Sequence, residues 1–153
     1  MKRTKNNPYI IQGGRHADDR GTIAYVNDFK FEGVKRFYTI THKDTSVVRA
    51  WQGHRFESKY FYCLRGAFLV NLVKLDNWKK PSVNLPVQSY ELSAEDSKFL
   101  FIPPGFANGF KALSKDAQLL VLSDKTLEES INDDIRFDMN YWFNWSQLSN
   151  ICD

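Results

Sequence analysis

The stretch Trp51–Gly66 reads WQGHRFESKYFYCLRG, and its pattern decides how the rest of the chain is interpreted. Successive side chains of a strand point to opposite faces, so Gln52 and His54 are expected on the same face of one strand. The alternating run that starts at Lys59 and ends at Gly66 predicts a second strand followed by a turn. We therefore expect two strands that bring Gln52, His54 and Lys59 to one pocket.

Short segments rich in β-branched and aromatic residues recur along the chain, separated by glycine, proline, asparagine and aspartate. This spacing predicts an all-β barrel or sandwich. Arg65-Gly66 between two apolar runs predicts a tight hairpin, and Thr126–Ile131 predicts a short helix with Thr126 as its N-cap. The aromatic run Met139–Trp145 is expected to pack across the barrel, with ligand stacking as the alternative. The expected strands are Tyr9–Gln12, Thr22–Asn27, Val34–His42, Ser46–Gly53, Lys59–Arg65, Ala67–Leu75, Gln88–Leu92, Lys98–Ile102, Asn108–Leu113 and Gln118–Ser123.

The composition limits the class of protein. With 153 residues, of which 42% are hydrophobic and 15% aromatic, the chain is expected to form one packed domain over residues 1–153. A net charge of +3 argues against nucleic acid as a partner, and no apolar run reaches the length of a membrane span. Cys63 and Cys152 do not make a disulfide framework, and the basic N-terminus is not followed by an apolar stretch, so we expect a cytoplasmic protein.

Two short motifs resemble those of the cupins, a family of β-barrels. The first cupin motif has the form His-x-His-x(3–4)-Glu-x(6)-Gly, and the second has the form Pro-x-Gly-x(2)-His. Both spacings fit this chain, and the resemblance implies a cupin jelly-roll barrel with a short helical segment near the C-terminus. The matching positions are, in order, Gln52, His54, Lys59, Gly66, Pro103, Gly105 and Asn108.

The ligand positions of these motifs are unsuited to a metal. Of the four, only His54 is a good ligand. Gln52 and Asn108 are neutral amides, and Lys59 is a cation that offers no lone pair at neutral pH. A tight transition-metal site needs three or four histidine, cysteine or carboxylate groups. We therefore expect no metal, and a metal-dependent cupin such as a dioxygenase is the least favoured alternative.

Several further segments follow one another in an informative order, and they are Arg15–Gly21, Val48–Trp51, Leu64–Gly66, Leu92–Glu95, Ile102–Phe110 and Trp145. This order resembles the metal-free cupins that act on dTDP-sugars, namely the dTDP-4-dehydrorhamnose 3,5-epimerases and the dTDP-sugar 3,4-ketoisomerases. The resemblance covers about residues 12–145, and its most specific elements are Asp-x-Arg-Gly and Pro-x-Gly-Phe-Ala-x-Gly-Phe. The part from Arg36 to Arg49 is more similar to the ketoisomerases, whereas Lys59 is more similar to the epimerases.

The resemblance implies an isomerase or epimerase of a dTDP-linked 4-keto-6-deoxy sugar, in deoxysugar and polysaccharide biosynthesis, that works without a cofactor. It also implies a homodimer in which an N-terminal strand crosses to the partner. Arg20 and Arg49 match family arginines that line the substrate site, and arginine suits this role because its planar fork binds phosphate oxygens bidentately. In a regular strand Arg49 faces away from Gln52, so it needs a bulge or a place at the rim.

The chain departs from the family where the catalytic groups are expected. The histidine base of the epimerases falls at Gln52, their catalytic tyrosine falls near Leu127–Glu128, and the histidine usual in the second motif is Asn108. The ketoisomerases carry a His-x-His pair, of which only His54 is present. Glutamine does not act as a base near neutral pH.

Three residues are therefore the candidates for catalysis. His54 is the expected base, Lys59 the cation that holds the enolate oxygen, and Tyr38 the acid. The residues expected to bind substrate are Arg20, Arg49, Gln52 and Asn108. His16 and His42 are expected at the surface, and Tyr60 and Tyr62 are expected to point away from the pocket that Lys59 faces.

A binding protein is the main alternative to an enzyme. A cupin that keeps the nucleotide-sugar pocket and has lost its acid and base also accounts for Gln52 and Asn108. The absence of a tyrosine near Leu127–Glu128 favours the same alternative, whereas Arg20, Arg49, His54 and Lys59 favour the enzyme. The two hypotheses differ in whether the protein exchanges a substrate proton with solvent.

Overall fold

Residues 6–150, which a computed structural model describes, form two facing antiparallel sheets and a separate hairpin. The prediction of an all-β protein with a short helix is confirmed. Cys152 lies outside the described residues. The elements are β1 (Tyr9–Gln12), β2 (Gly14–Asp18), β3 (Gly21–Tyr25), β4 (Arg36–Thr41), β5 (Val48–Gly53), β6 (Lys59–Arg65), β7 (Ala67–Lys74), β8 (Val87–Ser93), β9 (Lys98–Ile102), β10 (Phe106–Ala112), β11 (Gln118–Ser123), α1 (Leu127–Ile131), β12 (Ile135–Arg136) and a 3₁₀ helix (Trp145–Asn150).

The main core lies between the two sheets. The first sheet has the strand order β1-β9-β6-β11-β4, and the second has the order β12-β5-β10-β7-β8. The facing sides of both sheets send apolar residues to one interior. Phe61 and Val121 enter it from the first sheet, and Phe68, Val70 and Phe110 enter it from the second.

The two strands that frame the site are poorly covered by neighbours. Strand β4 is the last strand of its sheet, and β5 is bounded on one side only by β12, which pairs with it at Gln52 and Gly53. Trp51 also exchanges two backbone hydrogen bonds with Phe137, just after β12. Among the described residues, the part of β5 before Trp51 therefore has a strand on one side only. This leaves an opening between the two sheets along β4 and β5.

The helix follows its sequence signal closely. Thr126 is the N-cap of α1, its side chain accepts a hydrogen bond from the backbone N–H of Glu129, and the Glu129 carboxylate accepts one from the backbone N–H of Thr126. This reciprocal pair satisfies two N–H groups that the first turn leaves without partners. The prediction of a helix capped by Thr126 is confirmed, and the helix closes one end of the barrel next to β12.

The hairpin expected at Arg65-Gly66 is wrong. Strand β6 pairs with β9 and β11 in the first sheet, whereas β7 pairs with β8 and β10 in the second. Gly66, with a φ of 68°, is the corner at which the chain passes from one sheet to the other. A side chain there would also collide with the hydroxyl of Ser114, so the position requires glycine for two reasons.

The C-terminal aromatic run packs against the protein, as expected. Trp145 is 4% exposed and lies with Trp51 in a second apolar cluster, and Trp142 meets Trp51 edge to face at 5.3 Å between ring centroids. The Trp51 indole N–H donates a hydrogen bond to the carbonyl of Tyr141. Among the described residues, no helix has the length and apolarity needed to cross a membrane.

Candidate active site

A cavity of about 440 Å³ opens between the uncovered stretches of β4 and β5. Its floor is apolar, and its walls carry one lysine, two arginines, two amides and one tyrosine hydroxyl. The cavity therefore has the cationic character that the sequence predicts. The residues that line it are Tyr38, Thr39, Ile40, Thr41, Arg49, Ala50, Trp51, Gln52, Lys59, Phe61, Asn108, Phe110 and Arg136.

A bulge in β5 brings Arg49 to the same cavity as Gln52. In the pairing with β10, Gln52 lies opposite Asn108 and Arg49 lies opposite Phe110, so three steps along β5 match two along β10. The extra residue reverses the alternation of side chains once. The bulge that Arg49 required is thus present, and both residues line the cavity.

Lys59 is held in the cavity by Gln52. The Lys59 ammonium donates a hydrogen bond of 2.9 Å to Oε1 of Gln52, and the Gln52 amide donates one of 3.0 Å to Oδ1 of Asp134. Asp134 in turn accepts hydrogen bonds from Nε and Nη2 of Arg136, at 2.9 and 3.0 Å. One continuous chain of polar contacts therefore runs from a buried cation to an ion pair at the rim.

Burial dominates the protonation of Lys59, which is only 3% exposed. Burial, with a smaller contribution from the positive charges of Arg36 and Arg136, lowers the pKa of the ammonium from 10.5 to about 8, although the carboxylates of Glu57 and Asp134 oppose the shift. Near neutral pH a useful fraction of Lys59 is therefore the free amine, which has a lone pair. The lysine can take up a proton as well as stabilise negative charge.

Asp134 remains ionised beside this lysine. Burial alone would raise its pKa, but the hydrogen bonds from Arg136 and Gln52 together outweigh that effect, and the pKa of Asp134 is lowered. A carboxylate has only acceptors, so the group of Gln52 that faces it must be the N–H₂. The orientation of the Gln52 amide is therefore decided by Asp134.

Tyr38 lines the same cavity and stays protonated. Burial, followed by the negative charge of Glu57, raises the pKa of its hydroxyl to about 12. The Arg36 guanidinium lies 4.9 Å from the centre of its ring. Tyr60 and Tyr62 point instead into an outer apolar cluster with Phe99, as the alternation of β6 predicted.

A second, smaller cavity of about 230 Å³ adjoins the first. The two share Tyr38, Gln52, Lys59 and Arg136, so these four side chains face both spaces. Helix α1 lines the smaller cavity with Leu127 and Ile131. Leu127 is the position near which the catalytic tyrosine of the epimerases is expected, and it carries no hydroxyl.

His54 does not project into the cavity, which corrects the expectation that it shares a face with Gln52. The strand ends at Gly53, so the alternation of side chains no longer applies one residue later. The imidazole is 4% exposed, its Nδ1 lies 2.7 Å from the carbonyl of Asp133 and 3.1 Å from Oε2 of Glu57, and it lines neither cavity. His54 is thus a hydrogen-bonded interior histidine.

Glu57 is the centre of the buried network that holds His54. Its carboxylate, which is fully buried, accepts hydrogen bonds from Arg36, Ser123 and Ser130 at 3.2, 2.5 and 2.9 Å. Lys59 donates a hydrogen bond to Gln52 rather than to this carboxylate, and the cation that pairs with Glu57 is Arg36. The network ties β4, β11 and α1 together below the cavity.

The remaining candidates separate into two groups. Asn108 lines the cavity, and its amide donates a hydrogen bond of 3.2 Å to the backbone carbonyl of Gln52. Arg20 lies at the tip of the β2–β3 hairpin, outside the cavity, where its guanidinium is 83% exposed and pairs with Asp18 at 2.6 Å. The expectation that Arg20 lines the site is therefore not met within one chain.

The two other histidines also lie outside the cavity lining. His16 is exposed on β2, as expected. His42 is 8% exposed and stacks on Phe110 at 5.7 Å, so the prediction that it lies at the surface is wrong. The alternation of β4 continues one residue past the strand and turns this ring inward behind the cavity floor.

The sequence analysis missed Asp134 and Arg136. They belong to the segment Asp133–Arg136, whose strand β12 is only two residues long and pairs with β5 opposite Gln52. A strand of that length has no detectable alternation. The only signal in the sequence is the pair of acidic residues followed by a hydrophobic residue and an arginine, a pattern that most often marks a solvated loop.

The chain matches a known protein family over nearly its whole length. The family model described as dTDP-4-dehydrorhamnose 3,5-epimerase matches residues 5–151. No curated protein sequence matches. The cupin fold predicted from the motifs is confirmed by the solved structures that resemble this one.

Three of these structures illustrate the range. The 3,4-ketoisomerase QdtA from Thermoanaerobacterium thermosaccharolyticum, a double mutant in complex with TDP, is 26% identical, with a TM-score of 0.68 over 86% of this chain and 88% of that one. The dTDP-4-dehydrorhamnose 3,5-epimerase from Bacillus anthracis is 18% identical, with a TM-score of 0.73 over 92% and 83%. The TDP-quinovose 3,4-ketoisomerase WlaRB from Campylobacter jejuni is 21% identical, with a TM-score of 0.65 over 86% and 93%. The last two likenesses concern the fold alone.

Proposed function

Because this chain belongs to the dTDP-4-dehydrorhamnose 3,5-epimerase family, we propose that it is an isomerase or epimerase of a dTDP-linked 4-keto-6-deoxy sugar, in deoxysugar and polysaccharide biosynthesis. The observation that carries this proposal is the cavity in which the buried Lys59 and the hydroxyl-bearing Tyr38 line a common space. The proposal includes a cytoplasmic location, which agrees with the free thiol of the buried Cys63.

The chemistry follows from the charges of the cavity. Removal of the proton next to a ketone places negative charge on the ketone oxygen, and a cation held in a poorly hydrated site stabilises that charge strongly. Arg136 and the ammonium form of Lys59 are the cations that line both cavities. Tyr38, whose pKa is about 12, keeps its proton at neutral pH and is the proposed acid. The substrate supplies its own keto group, so the proposed reaction calls for no cofactor.

Two observations support the proposal that the substrate carries a dTDP group, one from a relative and one from an arginine of this chain. A histidine-to-asparagine mutant of the QdtA 3,4-ketoisomerase, 25% identical to this chain, was solved in complex with TDP-4-keto-6-deoxyglucose. In this chain the proposed diphosphate ligand is Arg49, which lines the cavity on the β5 side. Gln52 on β5 and Asn108 on β10 form the wall of the cavity that faces β4, and they are proposed to contact the sugar there.

A homodimer is part of the proposal. The β2–β3 hairpin has no strand of the two sheets beside it among the described residues, and Ile23 and Tyr25 on it are 62% and 39% exposed. Strand β4, next to the cavity, has an unpaired edge. A hairpin from the partner laid against that region would cover both features and bring Arg20 of the partner toward the cavity. In this arrangement Arg20 would bind the substrate in the cavity of the partner subunit rather than in that of its own chain.

Solvent exchange of the substrate tests the reaction. The protein is incubated in heavy water with dTDP-4-keto-6-deoxyglucose, and proton NMR follows the signals at C3 and C5. We expect enzyme-dependent loss of at least one of these signals. Lys59→Arg is expected to abolish the loss, whereas Lys115→Arg, the same change on an exposed loop lysine, is expected to leave it intact. Retention of both signals in the presence of wild-type protein would contradict the proposal for this substrate.

A nucleotide-sugar-binding protein without catalysis is the second candidate. It is favoured by one observation, the presence of Gln52 where the epimerases carry their base. Calorimetric titration with dTDP, combined with the exchange assay, separates the two candidates. A binding protein would bind the nucleotide and show no exchange, whereas the enzyme would do both. Binding of UDP as tightly as dTDP would argue that the thymine base is not recognised.

A further inference from the structure

The side chain of Gln52 is held at both ends. Its N–H₂ donates to the Asp134 carboxylate at 3.0 Å, and its Oε1 accepts from the Lys59 Nζ at 2.9 Å. Because the carboxylate accepts hydrogen bonds and cannot donate them, it admits only one orientation of the amide. The carbonyl oxygen of Gln52 therefore faces Lys59 as long as Asp134 is ionised.

Asp134 is itself fixed by the adjacent strand. Arg136 binds both of its oxygens, at 2.9 and 3.0 Å, and Arg136 lies directly opposite Gln52 in the β12–β5 pairing. The strand β12 thus supplies the cation, and Asp134, the residue just before the strand, supplies the carboxylate, both on one side of Gln52. The lysine is on the other side, on β6 of the opposite sheet.

We propose that Lys59 is the base that removes the substrate proton and that Asp134 is the positioning residue that aims it through Gln52. This inference rests on the proposed function. It accounts for the glutamine at the position of the family's histidine, since the amide directs a lysine instead of acting on the substrate. It also accounts for the polar chain that joins Lys59 to the rim, in which His54 has no part.

The proposed step balances without another reactant. The C–H bond next to the ketone breaks, its electron pair becomes the C=C bond of the enolate, and the ketone oxygen takes the negative charge. The proton bonds to the lone pair of the neutral Lys59 amine, which becomes an ammonium ion. Tyr38 gives its hydroxyl proton to carbon, which restores a ketone, and the resulting tyrosinate takes a proton from the Lys59 ammonium by way of solvent, which regenerates both groups. A fraction of Lys59 is ready for the first step near neutral pH because its pKa is about 8.

The charges around Lys59 make the inference testable in two opposite directions. Glu57 and Asp134 favour its ammonium form, and Arg36 and Arg136 disfavour it. His54, just outside the cavity, is neutral in the folded protein at pH 7, since burial and the charge of Lys59 lower its pKa. Asp134→Asn removes a negative charge and is expected to lower the pKa of Lys59, whereas Arg136→Gln removes a positive charge and is expected to raise it.

The first measurement does not depend on activity. Protein labelled with ¹⁵N at the lysine side chains is titrated by NMR, and the Lys59 signal is assigned as the one missing from Lys59→Arg. We expect a midpoint below the ordinary lysine value in the wild type, a lower one in Asp134→Asn and a higher one in Arg136→Gln. Asp134→Glu keeps the carboxylate and is expected to move the midpoint less than Asp134→Asn does. Shifts of Asp134→Asn and Arg136→Gln in the same direction, or no shift, would overturn the positioning role.

The second measurement concerns the base itself. The exchange rate of dTDP-4-keto-6-deoxyglucose in heavy water is expected to rise with pH through the Lys59 midpoint, and the rise is expected to move to lower pH in Asp134→Asn and to higher pH in Arg136→Gln. Lys59→Arg keeps a cation that does not titrate, and it is expected to lower the rate at least about 100-fold while retaining dTDP binding. Exchange that persists in Lys59→Arg would overturn the role of Lys59 alone. Wild-type protein that binds dTDP but shows no exchange would overturn the proposed function and the base together, whereas the NMR titration decides the positioning role in either case.

Discussion

The hydrogen bond between Lys59 and Gln52, 2.9 Å long, joins the two sheets of the barrel at the polar end of the cavity. Lys59 begins β6 of the first sheet, and Gln52 lies near the end of β5 of the second. Gln52 stands where the family resemblance implies a catalytic histidine. Lys59, the buried amine beside it, has a pKa of about 8.

Gln52→His is expected to restore a base of the family type. A histidine titrates near pH 6.5, and the positive charge of Lys59 beside it lowers its pKa further. The rise of exchange rate with pH is therefore expected to move from the Lys59 midpoint to below pH 6.5. The measurement is the deuterium exchange of the substrate between pH 5 and pH 9. Gln52→Leu, which makes neither hydrogen bond, serves as control and is expected to slow exchange without that movement. A profile of Gln52→His identical to wild type would show that position 52 does not reach the proton.

His54→Gln is expected to leave the exchange reaction in place. His54 lines neither cavity, and its Nδ1 is occupied by Asp133 and Glu57. The exchange rate at pH 8 is expected to stay within about threefold of wild type, since general-base groups contribute 100-fold or more. The measurement is the same exchange assay, made on protein whose fold is checked by circular dichroism. A loss of exchange in folded protein would return the role of base to His54.

The same histidine is expected to make stability depend on pH. Burial, and then the charge of Lys59, lowers the pKa of His54 in the folded protein, so the unfolded chain binds the proton more readily. The contribution of the neutral, folded His54 is complete above its unfolded pKa, near 6.5, and is lost as the pH falls through and below that value. Urea unfolding at pH 8 and pH 5.5 measures the difference, which is expected to be smaller in His54→Gln than in wild type. An equal difference in the two proteins would place the titration elsewhere.

Glu57→Leu is expected to destabilise the fold strongly. The change removes a fully buried carboxylate that accepts hydrogen bonds from the guanidinium of Arg36 and the hydroxyls of Ser123 and Ser130, and it leaves the charge of Arg36 without its ion-pair partner. Loss of one partner of a buried ion pair costs about 3 kcal/mol or more. Urea unfolding gives the free energy. The matched control is Glu95→Leu, whose carboxylate is 87% exposed in its pair with Arg15 and which is expected to change little. Equal stability of the two variants would contradict the structural role of Glu57.

A mixed dimer tests whether Arg20 acts on the partner's cavity. One chain carries Arg20→Ala and the other carries Lys59→Arg, so neither homodimer is expected to be active. If Arg20 reaches across, the mixed dimer contains one cavity with both residues intact and is expected to show about half of the wild-type exchange rate. The mixed dimer is purified through two different tags and assayed with the same substrate. An inactive mixed dimer would mean that Arg20 serves the cavity of its own chain, and an active Arg20→Ala homodimer would mean that Arg20 serves neither cavity.

Much of the fold and part of the site could be predicted from local pattern. The alternation Lys59, Phe61, Cys63 correctly separates the inward side chains from Tyr60 and Tyr62, because a strand has a period of two. Thr126 with Glu129 is a sufficient signal for the helix, because both partners of the cap lie within four residues. The resemblance that places Arg49 in the site, combined with the period of two, predicts either a bulge or a place at the rim for Arg49, and β5 contains a bulge.

The failures occur where a local pattern ends or a distant segment arrives. His54 was placed by the alternation of β5, but the strand stops at Gly53, and the next residue turns to Glu57 and Asp133. Gly66 has the local signal of a hairpin, although strand pairing depends on the whole chain and sends β6 and β7 to different sheets.

The sequence by itself therefore determined the class of fold, the family and the presence of Lys59 in a cationic pocket, since all three depend on residue types and spacings within short segments such as Asp18–Gly21, Trp51–Gly66 and Ile102–Phe110. Only the tertiary structure decided which groups surround that lysine. Asp134 reaches Gln52 across 82 residues of chain, and Lys59 meets Gln52 across two sheets. Contacts between segments so far apart depend on the packing of the complete barrel, and no periodicity along the chain records them.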